Sequence, residues 1–501
     1  MLGVERVPWT SVRLQLPICL LLGAALSLID RTDVNWDLQN YHLYAPFAAV
    51  NGRLTQDYFA AGFQGYLNPL ADVPNYLARC VLFPHAPRIA ALLAGLPYGF
   101  LVFVVLRLGR ALSDNWWTGL LAATLGLTGA TTLSEVGTAY NDILIADAVL
   151  LALLCALRGG WHGIAGAGLL GGFAVALKMT AAVFIPPLTL FVLCTAGRQR
   201  EVRALALLGA MGALGFIAGY GWWGLVLWRQ FGNPFFPLLG GVFHSAWALT
   251  ANFQDRRFFP KSALQWAAYP FFWLQGKTFV VSEEGLRDPR FALAYLAVLA
   301  SAVRLCLGRL PPRPVLGFWL FCVSAYILWL AGFSILRYAL PLEAITGVLI
   351  CTVLREFLPP KTVLRIMAVL LLASLAVTKP VGWGRLGYAK TMLASPLPQL
   401  PANALVFMQG APIGFVAMDL AQPNNRFINL AILPKTSPEW GAAQDLVAAG
   451  APAFLLTNAL KTDTPDIAAE LAPLHLKLDD STCDIVKSPM QRNIRICTLK
   501  R

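Results

Sequence analysis

The sequence predicts a polytopic α-helical membrane protein of about eleven transmembrane helices with a small α/β domain at its C-terminal end. Three observations lead there. Hydrophobic residues make up 57% of the 501-residue chain and charged residues only 13%, against about 25% charged in a soluble domain. Apolar runs of roughly 16–25 residues, the length a bilayer demands, recur along the chain. The loops between those runs alternate between strongly basic and mixed in charge. The mean hydropathy of +0.62 agrees with repeated membrane spans rather than with one buried core.

The runs fall at 14–29, 88–106, 116–133, 143–157, 162–178, 180–196, 204–228, 290–306, 314–332, 340–355 and 363–378. The first follows Arg6 and Arg13, as a signal peptide would. No small-x-small cleavage site precedes Asp30, so it reads as an uncleaved first helix. The stretch 162–196 reads as two helices joined by a tight turn at Lys178-Met179-Thr180.

Orientation follows from charge. One set of short loops holds Arg6, Arg13, Arg107, Arg110, Arg158, Arg198, Arg200 and Arg203, then Arg304, Arg309, Arg313, Arg355, Lys361 and Arg365. Its acids are few: Glu5, Asp114, Glu201 and Glu356. By the positive-inside rule this face is cytoplasmic, and the N-terminus with it. An odd number of spans puts the C-terminal domain in the periplasm, if the membrane is a bacterial inner membrane. The net charge of +13 is therefore a topology signal and not a sign of nucleic acid.

The opposite face carries the long segments: 30–87, 134–142, 229–289 and the tail from 379. Residues 1–378 read as the membrane domain and 379–501 as a soluble α/β domain. In the tail, short apolar runs alternate with polar helical stretches at Gly441–Ala448 and Asp463–Leu474. Most of the nine cysteines fall inside spans, where they serve as small apolar residues. Cys483 and Cys497 lie in the tail, where an oxidising compartment allows them to pair. The alternative is two buried thiols. No repeat, P-loop, dinucleotide fingerprint or His/Cys metal box is present.

The first external segment holds the densest chemistry. Asp30, Asp33 and Asp37 follow the first span, and Tyr41 stands one helical turn beyond Asp37. His42, Gly52 and Asn68-Pro69-Leu70 come next. An amphipathic helix on the membrane surface would hold a carboxylate there beside lipid headgroups. In the second external loop lies Glu135-Val136-Gly137-Thr138-Ala139-Tyr140-Asn141-Asp142. Lys178 follows the Gly171-Gly172 helix, and Arg337-Tyr338-Ala339-Leu340-Pro341 opens a late span.

In these motifs the chain resembles the GT-C superfamily of glycosyltransferases. Members place an acid in the first external loop, often as Asp-Glu-x-x-Tyr, then a Gly and later a Pro-Leu. Here the pattern is Asp37-Leu38-Gln39-Asn40-Tyr41, Gly52 and Asn68-Pro69-Leu70, with Leu38 in place of the second acid. The likeness spans about residues 30–345 and is nearest to bacterial members of undefined substrate. It implies a polyprenyl-phosphate-linked sugar donor, and a glycan, lipid or protein acceptor.

The residue types suit that chemistry. Asp37 is the candidate base for an acceptor hydroxyl, with Asp142 as second acid. Arg337, Lys178, Arg256 and Arg257 are candidates to hold the donor phosphate, whose charge grows as the sugar leaves. Tyr41, His42, Asn68 and Tyr338 are expected to line the substrate cavity. Asp37 with Asp142 would also suit a divalent Mg or Mn ion. Simpler readings exist: Asp37 and Asp142 as helix caps, Lys178 and Arg337 as snorkelling cations. Asp147, deeper in its span, reads equally as a functional group or a helix–helix hydrogen bond. Rival functions are a secondary transporter, a lipid-linked glycan polymerase or ligase, and an assembly scaffold. A transporter would show repeated halves and more mid-membrane charge than Asp147. A polymerase or ligase would favour one very long external loop late in the chain.

Overall fold

The computed structural model describes residues 12–113, 115–196, 200–245, 255–389, 397–458, 467–488, 490 and 492–501. Glu5, Arg6, Asp114 and Arg198 of the topology reading, and residues 463–466 of the expected tail helix, lie outside the described residues.

Each of the eleven apolar runs overlaps a helix: α1 (Val12–Ile29), α2 (Leu96–Leu112), α3 (Trp116–Leu127), α4 (Asp142–Arg158), α5 (Gly160–Leu177), α6 (Ile185–Ala196), α7 (Glu201–Phe231), α8 (Arg290–Cys306), α9 (Arg313–Gly332), α10 (Leu340–Arg355) and α11 (Pro360–Val377). Together with the short turns that extend some of them, eight are long and apolar enough to cross a membrane. The other three, α3, α4 and α8, have 12, 17 and 17 residues. Glycines allow close approach in the bundle. A methyl group at Gly172 of α5 would strike the carbonyl of Gly212 in α7, so only glycine permits that crossing.

The two ends of the bundle differ in charge. At one end Arg304 pairs with Glu356 at 2.6 Å, the Arg355 guanidinium donates to the Leu112 carbonyl, and Arg110 and Arg158 sit within electrostatic reach of Arg107. Helix α4 runs from Asp142 to Arg158, and α10 leads from the Arg337 turn to Arg355. Both therefore connect this basic end to the opposite one, where the long loops gather.

At the loop end the tail forms a six-stranded sheet: β3 (Leu405–Gln409), β4 (Arg426–Asn429), β5 (Ala453–Asn458), β6 (Lys477–Leu478), β7 (Asp484–Lys487) and β8 (Asn493–Lys500), numbered after the two-residue strands β1 (Thr32–Asp33) and β2 (Arg385–Leu386). Strands run β4-β3-β5-β8-β6, with β7 also on β8; the first three are parallel and β8 is antiparallel to β5. Cys483 and Cys497 are joined by a disulfide, with Cα atoms 4.1 Å apart.

The first loop is built into this sheet. Tyr58 pairs with the edge of β4, accepting from Asn429 and donating to Phe427. Arg53 donates twice to Asp57 (2.7 and 2.8 Å) and to the carbonyls of Asn425 and Gln422, and the Tyr44 hydroxyl donates to Asp57 at 2.8 Å. Leu38, Leu43, Tyr44 and Ala61 share one core with Val406, Met408, Phe415 and Val416. The helix expected on the membrane surface, Tyr44–Val50, instead buries Tyr44, Ala45, Pro46 and Ala48. Its apolar face finds a protein partner in the tail, which covers it more fully than a lipid boundary would. Residues 379–388 belong with the loops and not with the sheet: β2 pairs antiparallel with β1.

Candidate active site

Four charged side chains from four separate segments meet at the loop end. Asp37 precedes a five-residue π turn, Leu38–His42, a conformation that often marks functional sites. Its carboxylate makes no capping hydrogen bond; one oxygen lies 3.2 Å from Nη1 of Arg337. Asp142 opens α4, and Asn141 occupies the cap position. One Asp142 oxygen accepts from Lys178 Nζ at 2.5 Å and the other lies 3.7 Å from Arg337 Nη1. The order is thus Asp37–Arg337–Asp142–Lys178.

Local backbone explains why each group is available. Lys178 is extended (φ −150°, ψ 114°) between α5 and the 3-10 turn Met179–Phe184. The break predicted at Lys178-Met179-Thr180 aims this side chain inward. Arg337 sits in a 3-10 turn, Leu336–Ala339, just before α10, with Pro341 early in that helix. Both cations stack on aromatics. The Arg337 guanidinium lies 4.0 Å from the Tyr140 ring centroid and 5.7 Å from Trp383, and Lys178 Nζ lies 4.6 Å from Tyr338.

The cluster is enclosed but not sealed. The side chains of Lys178, Asp37, Arg337 and Asp142 are 22%, 16%, 12% and 3% exposed. Several atoms have no hydrogen-bond partner: Arg337 Nε, Asp142 Oδ2, Trp383 Nε1 and both carboxylate oxygens of Glu135. Glu135 lies near Asp142, Arg337 and Lys178, and burial, reinforced by Asp142, holds its carboxyl well above the usual range. Tyr41 is close to Asp37 and Arg337, and burial with the Asp37 charge raises its phenol. Buried polar atoms without partners are rare unless something binds them.

The remaining expected site residues divide. His42 is turned to Asp72 at 2.7 Å, and Asn141 also donates to Asp72 at 2.7 Å. Asn68 holds the carbonyls of Ala176 and Gly219, tying the first loop to α5 and α7 beside Lys178. Both brace the site rather than line it. Arg257 pairs with Asp255 at 2.6 Å and Glu283 at 3.6 Å, stacking on Phe258; Arg256 is exposed beside it. Asp33 accepts from Asn35 and the Ala139 amide, a brace for the second loop. Sequence reasoning missed Glu135, Tyr140 and Trp383 as site residues. The first two lay inside the Glu135–Asp142 motif; for Trp383, beyond the last span, no sequence signal existed.

Asp37 and Asp142, the pair expected to suit a divalent metal, are arranged around Arg337 in this structure. Both carboxylates already face cations, two charges against two, and Arg337 stands between them. A divalent ion would have to displace that guanidinium. Among the described residues no three His, Cys, Asp or Glu side chains are grouped to hold a metal.

Two solved structures match almost the whole chain. One is ArnT from Cupriavidus metallidurans bound to undecaprenyl phosphate: 13% identity, 98% of each chain, TM-score 0.58. The other is the same protein in the apo state: 13% identity, 96% of this chain and 97% of that one, TM-score 0.58. The Archaeoglobus fulgidus oligosaccharyltransferase, in complex with Zn and sulfate, is a looser match at 13% identity, 88% and 68% coverage and TM-score 0.47. No family model matches the sequence, and no curated protein does either. The chain therefore has the fold seen in these two ArnT structures. At 13% identity the likeness is one of fold, and it says nothing about substrate.

Proposed function

We propose that the protein is a membrane glycosyltransferase that moves a sugar from a polyprenyl-phosphate carrier to an acceptor at the non-cytoplasmic face of a bacterial inner membrane. The observation that carries the reading is the Asp37–Arg337–Asp142–Lys178 chain at the loop end of a GT-C fold.

Arg337 and Lys178 bind the donor phosphate. As the bond between the sugar C1 and the phosphate oxygen breaks, charge builds on that oxygen, and the two cations stabilise it more than they do the intact donor. Asp142 holds both cations in place between turnovers. Asp37, the more exposed of the two acids, takes the proton of the acceptor hydroxyl as its oxygen attacks C1. Phosphate binding draws Arg337 away from Asp37 and so raises its basicity. Tyr41 and Tyr140 shield the site from water, where charge interactions weaken. Arg256 and Arg257 belong to a separate loop and take no part in this scheme.

The test is a comparison of surface glycans and lipid-linked intermediates between a strain lacking the protein and its parent. A missing sugar with its lipid-linked donor accumulating supports the reading; unchanged glycans and lipids overturn it. Orientation is tested by reporter fusions after Phe357 and after Arg501. Cytoplasmic and periplasmic signals respectively are expected, from the basic loops at one end of the bundle.

A further inference from the structure

A second group of cations lies on the flank of the bundle, away from the Asp37–Lys178 chain. Arg79, Arg88 and Arg385 all come within electrostatic reach of the Tyr388 phenol, together with Asp30. The Arg88 guanidinium is 5.7 Å from the Tyr388 ring centroid. The Tyr388 hydroxyl donates to the carbonyl of Leu28, at the loop end of α1, at 2.8 Å. Ser27 of α1 donates to Ala91, fixing the helix Pro87–Ala94, which carries Arg88, beside α1.

These arginines are arranged unlike three others at this end. Arg53, Arg290 and Arg337 each face a carboxylate. Arg79 donates to Asn75 (2.6 Å) and the Gly137 carbonyl (3.2 Å), and Arg385 to the carbonyls of Ser134 (3.0 Å) and Val136 (2.6 Å). Those bonds fix their positions without cancelling their charge. Nη1 of Arg385 is buried with no partner at all. Of the two acids nearby, Asp33 already accepts from Asn35 and Ala139, and Asp30 alone is left against three guanidiniums. Arg79 is buried and Arg385 half-buried, and positive charge gathered there in excess is unfavourable unless an anion shares the site.

The rim names the kind of anion. Ile29 (72% exposed), Ile89 (43%) and Leu93 (40%), on the two helices that flank the cluster, turn apolar surface outward. A small anion in water needs no apolar rim. A lipid does: its headgroup meets the arginines and its chains meet these side chains.

We propose that Arg79, Arg88 and Arg385 around Tyr388 form a lipid-phosphate site that seats the headgroup of an anionic membrane lipid, separate from the reaction centre. β2 links the two: Arg385 lies two residues after Trp383, which stacks toward Arg337, and pairs in register with Asp33. A lipid seated there would steady the 379–388 segment that closes the site.

The test is native mass spectrometry of the full-length protein from nanodiscs of phosphatidylcholine mixed with phosphatidylglycerol. Wild type should retain phosphatidylglycerol over phosphatidylcholine. Each arginine lost should reduce that preference by about fivefold, the worth of one basic residue at an anionic lipid surface. Arg88→Gln is the primary variant, because Arg88 is exposed; Arg88→Gln with Arg385→Gln should bring the two lipids close to parity. Equal retention in wild type and the Arg88→Gln variant overturns the proposal. Loss of the preference on adding inorganic phosphate at constant ionic strength also overturns it, since that marks a site for free phosphate. The readout needs no turnover, so it stands or falls independently of the proposed transferase activity.

Discussion

Two buried charge networks lie at the loop end of the bundle. In the first, Asp288 accepts from the Ala130 amide (2.7 Å) and from Arg290, whose guanidinium also reaches Thr378 (2.7 Å), Thr128 (2.9 Å) and the Leu125 carbonyl. Beside it Glu343 accepts from the amides of Thr131 and Thr132 and from the Thr132 hydroxyl. Arg290, Asp288 and Glu343 are all 0% exposed, and none of them has an unpartnered side-chain atom. In the second network, Asp37, Asp142, Lys178 and Arg337 are similarly charged but leave Arg337 Nε and Asp142 Oδ2 unpartnered, with Glu135 beside them wholly so. Buried charge thus serves different ends in the two places. A saturated network fixes helices and loops to each other; an unsaturated one keeps bonding capacity for a ligand.

The sharpest way to break this comparison is to remove one charge from each network. Asp37→Asn keeps shape and hydrogen bonding but cannot accept a proton. Sugar transfer should fall by about 10²–10⁴, with the melting temperature in detergent within a degree or two of wild type. A variant with near-parental transfer would remove Asp37 as base. Arg290→Met should do the reverse. It strands Asp288, so stability should drop by about 3–5 kcal/mol, seen as a lower melting temperature and yield. Transfer per folded molecule should change far less than in Asp37→Asn. If Arg290→Met stays stable but inactive, the saturated network is part of the site after all.

Smaller effects sharpen the picture. Replacing both Cys483 and Cys497 by Ser opens a loop of 14 residues and should cost the tail about 3 kcal/mol, on the chain-entropy account. Proteolysis of the tail should quicken, and transfer should weaken only as far as the tail loosens its hold on the first loop. The smallest effect is that of Glu135→Gln on the pH dependence of stability. The folded carboxyl titrates above its ordinary 4.5. Below that pH both states are protonated and nothing is lost. As pH rises the unfolded chain gives up the proton and the folded chain keeps it, so stability declines with pH. Gln cannot titrate, so its variant should show a flatter decline between pH 5 and 8 in thermal melts, an interval chosen roughly to lie above the usual glutamate range. Parallel curves for variant and wild type would place Glu135 in contact with water.

Much of the fold was legible because the bilayer acts on each span alone. A run such as 340–355 needs only its own length and apolarity to become a helix, and Arg158 or Arg355 marks an end by its charge alone. The same locality made Asp37, Asp142, Lys178 and Arg337 readable as residues at span ends. Their chemistry was not local. That Arg337 bridges Asp37 and Asp142, so that cations balance the two acids, depends on four segments spread over 300 residues of sequence meeting within about one side-chain length. His42 and Asn68 read as site residues by their neighbours in sequence, but the fold turned them to Asp72 and to the Ala176 and Gly219 carbonyls. Trp383 and Arg385 carried no signal, because their roles come only from β2 pairing with β1. By itself the sequence determined the helices, their approximate ends and the residue types available for catalysis, since hydropathy and charge act one segment at a time. Only the tertiary structure decided which charges satisfy each other and which remain open, because hydrogen bonds and ion pairs act over a few ångströms between segments that the chain order keeps far apart.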